Sequence, residues 1–314
     1  MIPGLGAYYR PERLEEALQL LSAEPQARVL AGGTDLLLES QPAHALVDIA
    51  HLGLDGIQLE NDALRLGAAV RIEELLHSDA ARRWADGVLV GACLNFGTLQ
   101  VRNMATVGGN VAHALPAADL VAALMALDAH LELVGLDDDA TVRRRREPLD
   151  GFATAPFATR LQPGELITQV RVPTATRAWR AHFRKIGRVL KDLSLVNCAV
   201  ALDLDGSHVR QARVVVGAVH PTVTRVPDAE RELVGGKPAS DDWPRRTARA
   251  VQAVRDFIRP IDDVRASAAW RRHVCGVLVH RSLDIVSRAD FAGRVPCYED
   301  GPLYRVGLDP QGAV

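Results

Sequence analysis

The chain has 314 residues, 48% of them apolar, and a formal net charge of −2. That length exceeds what one core ordinarily serves and predicts two or three domains. The near-neutral charge excludes the basic footprint of a nucleic-acid partner, and no apolar run reaches the length of a membrane span. Met1-Ile2-Pro3-Gly4-Leu5 lacks a basic region followed by an apolar core, so no signal peptide is expected and the expected compartment is the cytoplasm.

Pro11 to Leu21 is predicted to be the first helix, with Leu14, Ala17, Leu18 and Leu21 on one face and Pro11 in the first turn. A short strand, Ala27 to Leu30, runs into the turn Ala31-Gly32-Gly33-Thr34-Asp35. Leu36-Leu37-Leu38 continues as a short apolar element, and Ala45 to Ile49 is a second strand. This order predicts a small α/β unit with a partly parallel sheet. Leu64 to Ala68 opens a strand-rich region, Ile72 to Leu76 and Ala80 to Leu89 read as helices, and a second glycine turn follows, Thr106-Val107-Gly108-Gly109-Asn110. Pro116 to Ala129 is predicted helical. Asp119 in its first turn suits the helix dipole whatever else it does.

His130 to Val134 is a strand. Asp137-Asp138-Asp139 and Arg143-Arg144-Arg145-Arg146 flank a hairpin and read as solvated loop. Gly164-Glu165-Leu166-Ile167 leads into a strand that Pro173 closes. His182 to Arg188, Ala199 to Leu204 and Val209 to Val219 read as three antiparallel strands. Asp228 to Leu233, Trp243 to Phe257 and Ala266 to Arg288 read as helices, and 289–314 as an extended tail. The domain boundaries expected are 1–55, 56–176 and 177–288, followed by that tail.

Cys93, Cys198, Cys275 and Cys297 are far apart and form no CxxC pair. They read as buried thiols rather than cluster or zinc ligands, and no metal site is expected. The two glycine pairs carry the chemistry. Glycine permits positive φ and lets backbone approach a ligand closely, and successive N–H groups at such turns make an anion-binding concavity. Two of them suggest a long anionic cofactor held between two segments.

With their flanks, these segments resemble the FAD-binding medium subunit of the molybdenum hydroxylases, the xanthine dehydrogenase and carbon monoxide dehydrogenase family. The resemblance is carried by Leu30-Ala31-Gly32-Gly33-Thr34-Asp35-Leu36, by Gln100-Val101-Arg102-Asn103-Met104-Ala105-Thr106-Val107-Gly108-Gly109-Asn110-Val111, and by Pro116-Ala117-Ala118-Asp119-Leu120. Late in the chain, Asp263-Val264-Arg265-Ala266-Ser267-Ala268 resembles the family's C-terminal domain. The fold implied is α+β, of the vanillyl-alcohol oxidase (PCMH) type: two α/β FAD-binding subdomains and a C-terminal three-stranded antiparallel sheet with helices.

By this resemblance, Leu30, Ala31, Gly32, Gly33, Thr34 and Asp35 present backbone N–H groups to the FAD pyrophosphate. Thr106, Gly108, Gly109 and Asn110 hold its other side and the ribityl chain. Asp119 bonds sugar or ribityl hydroxyls. Phe96 lies near the FAD or serves plain core packing. Ile167, or Leu166 one place earlier, reaches the flavin ring. Arg184 or Lys185 supplies a cation near the flavin, or the two form a solvated strand pair. Leu193 stands where some members have an aromatic over the ring. The cysteine-rich insertion of the 4-hydroxybenzoyl-CoA reductase branch is missing after Asn110, so no iron–sulfur cluster is expected in this chain.

The function implied is electron transfer. A partner large subunit would carry the molybdenum cofactor and a small subunit [2Fe–2S] clusters. FAD on this chain would pass electrons to NAD, a quinone or oxygen, in a dimer of heterotrimers. No catalytic residue of its own is needed. The alternative is a stand-alone flavin oxidase or reductase of the same fold. Such enzymes often tether FAD through His or Cys, and Ala31 to Asp35 contains neither. A scaffold that has lost FAD is a third reading, and two intact glycine pairs argue against it.

Overall fold

The computed structural model describes residues 3–38, 42–189 and 191–288; the expected tail and Cys297 lie outside them. The first segment contains β1 (Ala7–Tyr9), α1 (Leu14–Ala23), β2 (Ala27–Leu30) and β3 (Ala45–Asp48). β3 is central and pairs in parallel with β1 on one side and β2 on the other. The helix starts at Leu14 rather than Pro11, because Arg13 is still extended (φ −124°, ψ 145°). Ala17, Leu18 and Leu21 are buried with Val47 and Ile49. The expected apolar element at Leu36 to Leu38 is instead an exposed turn, with Leu38 85% accessible.

A second segment carries β4 (Ile57–Leu59), β5 (Ala63–Gly67), α2 (Ile72–Leu76), α3 (Asp79–Arg82), α4 (Val88–Asn95), α5 (Leu99–Arg102), α6 (Val107–Ala112) and α7 (Asp119–Ala126). Four further strands follow, β6 (His130–Leu136), β7 (Val142–Pro148) and the small hairpin β8 (Ala153–Ala155) and β9 (Ala158–Thr159). The long β10 (Leu166–Pro173) completes an antiparallel five-stranded sheet, ordered β4-β5-β10-β6-β7.

Two expectations are corrected here. The helix read over Ala80 to Leu89 is broken, because Ala85 and Asp86 adopt positive φ (44° and 54°). The Ala85 N–H is drawn to the Arg177 carbonyl at 2.8 Å, and the buried Trp84 indole donates to Thr176 Oγ1 at 3.1 Å. The run Arg143 to Arg146 is an edge strand and not a loop. Its side chains alternate in exposure: Arg145 turns to Glu165 and Arg146 to Glu132. Charge on an edge strand opposes pairing with other chains.

The third segment holds β11 (Arg180–Ile186), β12 (Val196–Asp205), β13 (His208–Gly217) and β14 (Thr224–Arg225), then α8 (Pro227–Leu233), α9 (Trp243–Phe257) and α10 (Ala268–Ser287). The two-residue β14 makes a four-stranded antiparallel sheet of the expected three. In β12, Ala199 and Ala201 face the core shared with α4 and α7, while Cys198, Val200 and Leu202 face α9 and α10. A strand covered on both faces is apolar without interruption. All eight residues of α7 are buried.

Candidate functional site

The two glycine segments meet. A Cβ built on Gly32 would stand 1.9 Å from the Met104 carbonyl oxygen, so only glycine allows the first segment to lie against the start of the second. Gly33 adopts φ +68° and turns the chain out of β2. Among the described residues, the backbone N–H groups of Gly32, Gly33, Thr34 and Asp35 have no hydrogen-bond acceptor, as an anion-binding turn requires.

The second pair works differently from the turn expected of it. Gly108 and Gly109 lie inside the short α6 with right-handed φ, and Thr106 caps it, its Oγ1 accepting the Gly109 N–H at 3.1 Å. Gly108 is required by proximity: a Cβ there would stand 2.6 Å from the Ala68 Cβ. A main-chain relay fixes this contact. Gly108 N–H donates to Ala68 O at 2.8 Å, Ala68 N–H to Thr168 O at 2.9 Å, and Val107 N–H to Val70 O at 2.9 Å. The N–H groups of Gly108 and Gly109 are therefore spent within the fold. What this segment offers a ligand is Asn110, whose Oδ1 is buried with no partner among the described residues.

Between the segments lies a cleft of about 270 Å³. Ala31, Gly32, Gly33, Thr34 and Asp35 line it from one side; Thr106, Gly108, Gly109 and Asn110 line it from the other. Phe96, Leu166 and Ile167 also face it. Leu30 does not; its side chain packs behind Gly33. β10 is bulged between Ile167 and Gln169.

Asp119, Lys185 and Arg184 are not brought to the cleft wall. Asp119 is buried, with Oδ2 accepting from Lys185 Nζ at 2.7 Å and Oδ1 from Ser194 Oγ at 2.5 Å and Asn197 Nδ2 at 2.8 Å. Lys185 also donates to the Asp192 carbonyl at 2.9 Å. This cluster joins α7 to the third segment's sheet. Strand alternation puts Arg184 on the opposite face of β11 from Lys185. Burial lowers the Arg184 pKa; Cys198 on β12 opposes the shift and the Arg281 charge on α10 adds to it.

Glu165 and Arg102 stand at or beside the cleft with no role read from the sequence, whereas His113, beside the second glycine pair, reads there as a satisfied loop histidine or as one that tunes the site. Glu165, whose side chain is 1% exposed, lines the cleft. Arg145 grips the carboxylate with two bonds of 2.7 Å, and Gln162 N–H adds a third at 2.9 Å. Burial opposes the charge, yet these bonds hold the carboxyl below its ordinary range. His113, one turn past Gly109, faces the cleft with Nε2 3.7 Å from Asp35 Oδ1. Arg102 is buried and shapes the approach to Phe96, donating to the Phe96 and Gly97 carbonyls at 3.3 Å and to Glu73 at 2.5 Å. An arginine between Val101 and Asn103 gives no local sequence signal for such burial.

Two family descriptions fit this chain. The FAD binding domain in molybdopterin dehydrogenase matches residues 4–175, and the CO dehydrogenase flavoprotein C-terminal domain matches residues 181–286. The chain belongs to the molybdopterin-dehydrogenase FAD-binding family. Within that family it is 31% identical to the glyceraldehyde dehydrogenase medium chain of Sulfolobus acidocaldarius, over 91% of this chain and 100% of that one. It is 30% identical to the carbon monoxide dehydrogenase medium chain of Hydrogenophaga pseudoflava, over 90% and 98%. A solved carbon monoxide dehydrogenase from Hydrogenophaga pseudoflava, lacking the Mo-pyranopterin moiety, superposes with a TM-score of 0.83 at 30% identity, covering 90% and 98%. The reconstituted enzyme of Oligotropha carboxidovorans gives 0.84 at 27%, covering 91% and 99%. The fold is thus that of the FAD-binding medium chain of the molybdenum hydroxylases. Among the described residues no group of His, Cys, Asp or Glu could hold a metal ion, and no helix is long and apolar enough to cross a membrane.

Proposed function

We propose that this chain carries FAD as the electron-transfer subunit of a molybdenum hydroxylase, receiving electrons from a [2Fe–2S] subunit and delivering them to NAD, a quinone or oxygen. The carrying observation is the cleft itself, lined by the Gly32 to Asp35 turn, whose N–H groups have no acceptor among the described residues, and by Asn110, whose Oδ1 has no partner among them. The turn would take phosphate oxygens, and the Asn110 oxygen would accept from a sugar or ribityl hydroxyl. Phe96, Leu166 and Ile167 would supply apolar surface for the flavin. Lys185 and Asp119 would act from behind, as a neutralised pair steadying the adjoining helix α7. FAD, when bound, supplies the redox chemistry; the chain orients it and excludes water.

In this reading the substrate is chosen by the molybdenum-bearing large subunit, and the complex is a dimer of heterotrimers. The relatives' names support the partnership, since each is one chain of a multi-chain dehydrogenase. The test is the absorbance spectrum of the purified chain, alone and with its co-expressed partners. Releasable flavin in the first, joined by iron–sulfur and molybdenum signals in the second, is the expected result. A chain that is colourless and takes up no added FAD overturns the proposal.

A further inference from the structure

The β8–β9 hairpin turns through Pro156 and Phe157, and Phe157 has φ +61°. In a two-residue turn opened by proline, that position ordinarily falls to Gly or Asn, and a bulky side chain there is an outlier. The residue is also 60% exposed, so burial does not explain it. Two contacts do. The Phe157 N–H donates to the Ala114 carbonyl at 3.1 Å, and Ala114 is itself at φ +49°. Its ring lies 5.2 Å from the His113 ring, tilted by 57°. His113 in turn faces Asp35 across the cleft.

We infer that Phe157 is a positioning residue for the cofactor: it props His113 against Asp35, and the three residues form a clasp that ties the second glycine segment to the first across the cleft. Asp35 belongs to the first segment, His113 ends the α6 that carries the second, and both line the cleft. Phe157 does not line it and acts through His113. Two backbone outliers held in register by one hydrogen bond mark a place where fold stability is given up for geometry. The clasp slows escape of the bound nucleotide rather than creating its affinity for phosphate. This inference rests on the FAD reading proposed above.

The test compares FAD dissociation from the chain purified with the partner subunits it carries, read as the rise in flavin fluorescence on dilution. Phe157→Gly suits the backbone, so its thermal midpoint should hold or rise, while FAD leaves about tenfold faster. Phe157→Tyr keeps a ring and should keep the wild-type rate. The pair Phe157→Gly with His113→Ala should release FAD no faster than His113→Ala alone, because both act through one contact. Wild-type release from Phe157→Gly overturns the clasp and leaves FAD binding intact. Equal acceleration in Phe157→Gly and Phe157→Tyr overturns it too, since the ring would then be irrelevant. A wild-type chain that takes up no FAD brings down the proposed function, and the clasp with it.

Discussion

Gly32 rests on the carbonyl of Met104, so closely that a Cβ would come within 1.9 Å of its oxygen. The contact is backbone on backbone and neither side can yield by turning a side chain. Gly32→Ala should therefore push the two glycine segments apart, at a cost of about 2 kcal/mol or more, and weaken FAD retention by at least tenfold. Gly91→Ala, at a glycine with open space around it and, like Gly32, no positive φ, controls for a general glycine effect. Urea denaturation reads the first effect, and flavin content after gel filtration the second. Full flavin content in Gly32→Ala would show that the segments do not hold the cofactor between them.

The buried pair of Asp119 and Lys185 makes a separable prediction. Asp119→Ala leaves the Lys185 ammonium, 4% exposed, without its carboxylate, which should cost about 3 kcal/mol or more. Lys185→Met with Asp119→Ala should cost less than the two changes summed, because an apolar pair replaces an ionic one. A double-mutant cycle in urea measures the coupling. Strict additivity would mean that Ser194 and Asn197, and not Lys185, carry the Asp119 charge.

His182 sets part of the acid limb of stability. Burial, then the Arg184 charge, brings its pKa down from 6.5 to about 4; its Nδ1 lies 3.2 Å from Ser282 Oγ on α10. The unfolded chain takes up this proton near pH 6.5 and the folded chain only near 4, so between them the unfolded state binds more protons. The associated stability is whole above pH 6.5 and falls as pH drops toward 4, by up to about 3 kcal/mol. His182→Gln should flatten the stability curve across that window. An unchanged slope would assign the acid limb to the carboxylates.

Glu165 tests whether the cleft wall depends on charge. Glu165→Gln keeps the shape but gives up charge-assisted bonds to Arg145, and should cost about 1–3 kcal/mol. The lost stability belongs to neutral pH. The lowered carboxyl pKa places its contribution above the ordinary glutamate range, and it disappears as pH falls through the folded-state value. Melting of wild type and variant should converge in acid. A constant gap at all pH values would make the effect one of packing.

Elements with strong internal signals were legible in the chain. β2 and α9 occupy the residues their patterns predict, and the glycine segments line a common cleft. The failures share a cause: conformation set by distant partners. β1 and β4 are three-residue strands that exist because β3 and β5 pair with them. The break at Ala85 depends on the Arg177 carbonyl, which accepts the Ala85 N–H. Gly108 and Gly109 read as a turn because glycine most often signals φ, whereas here Ala68 leaves no room for a Cβ at Gly108 and Thr106 Oγ1 crowds one at Gly109. Arg271 is as buried as a core leucine, paired to Asp263 at 2.9 Å and bound to the Leu195 and Ala218 carbonyls, and nothing local distinguishes it from its half-buried neighbour Arg272. Leu190 and residues 289–314 fall outside the described residues, so the expected tail gains no structural account.

The relay from Thr168 through Ala68 to Gly108 is built from peptide groups alone. Side chains along it can change while the carbonyls and amides stay in place, except that Gly108, and Gly67 at the end of β5, have no room for a Cβ and that proline would remove an amide. Away from those contacts, β5 and β10 can diverge while the relay keeps its place, whereas insertion or deletion of a residue in either strand would shift it. Point mutation and indel become unequal evolutionary events here, the first mostly absorbed and the second read directly as displacement of the cleft wall that Gly108 lines.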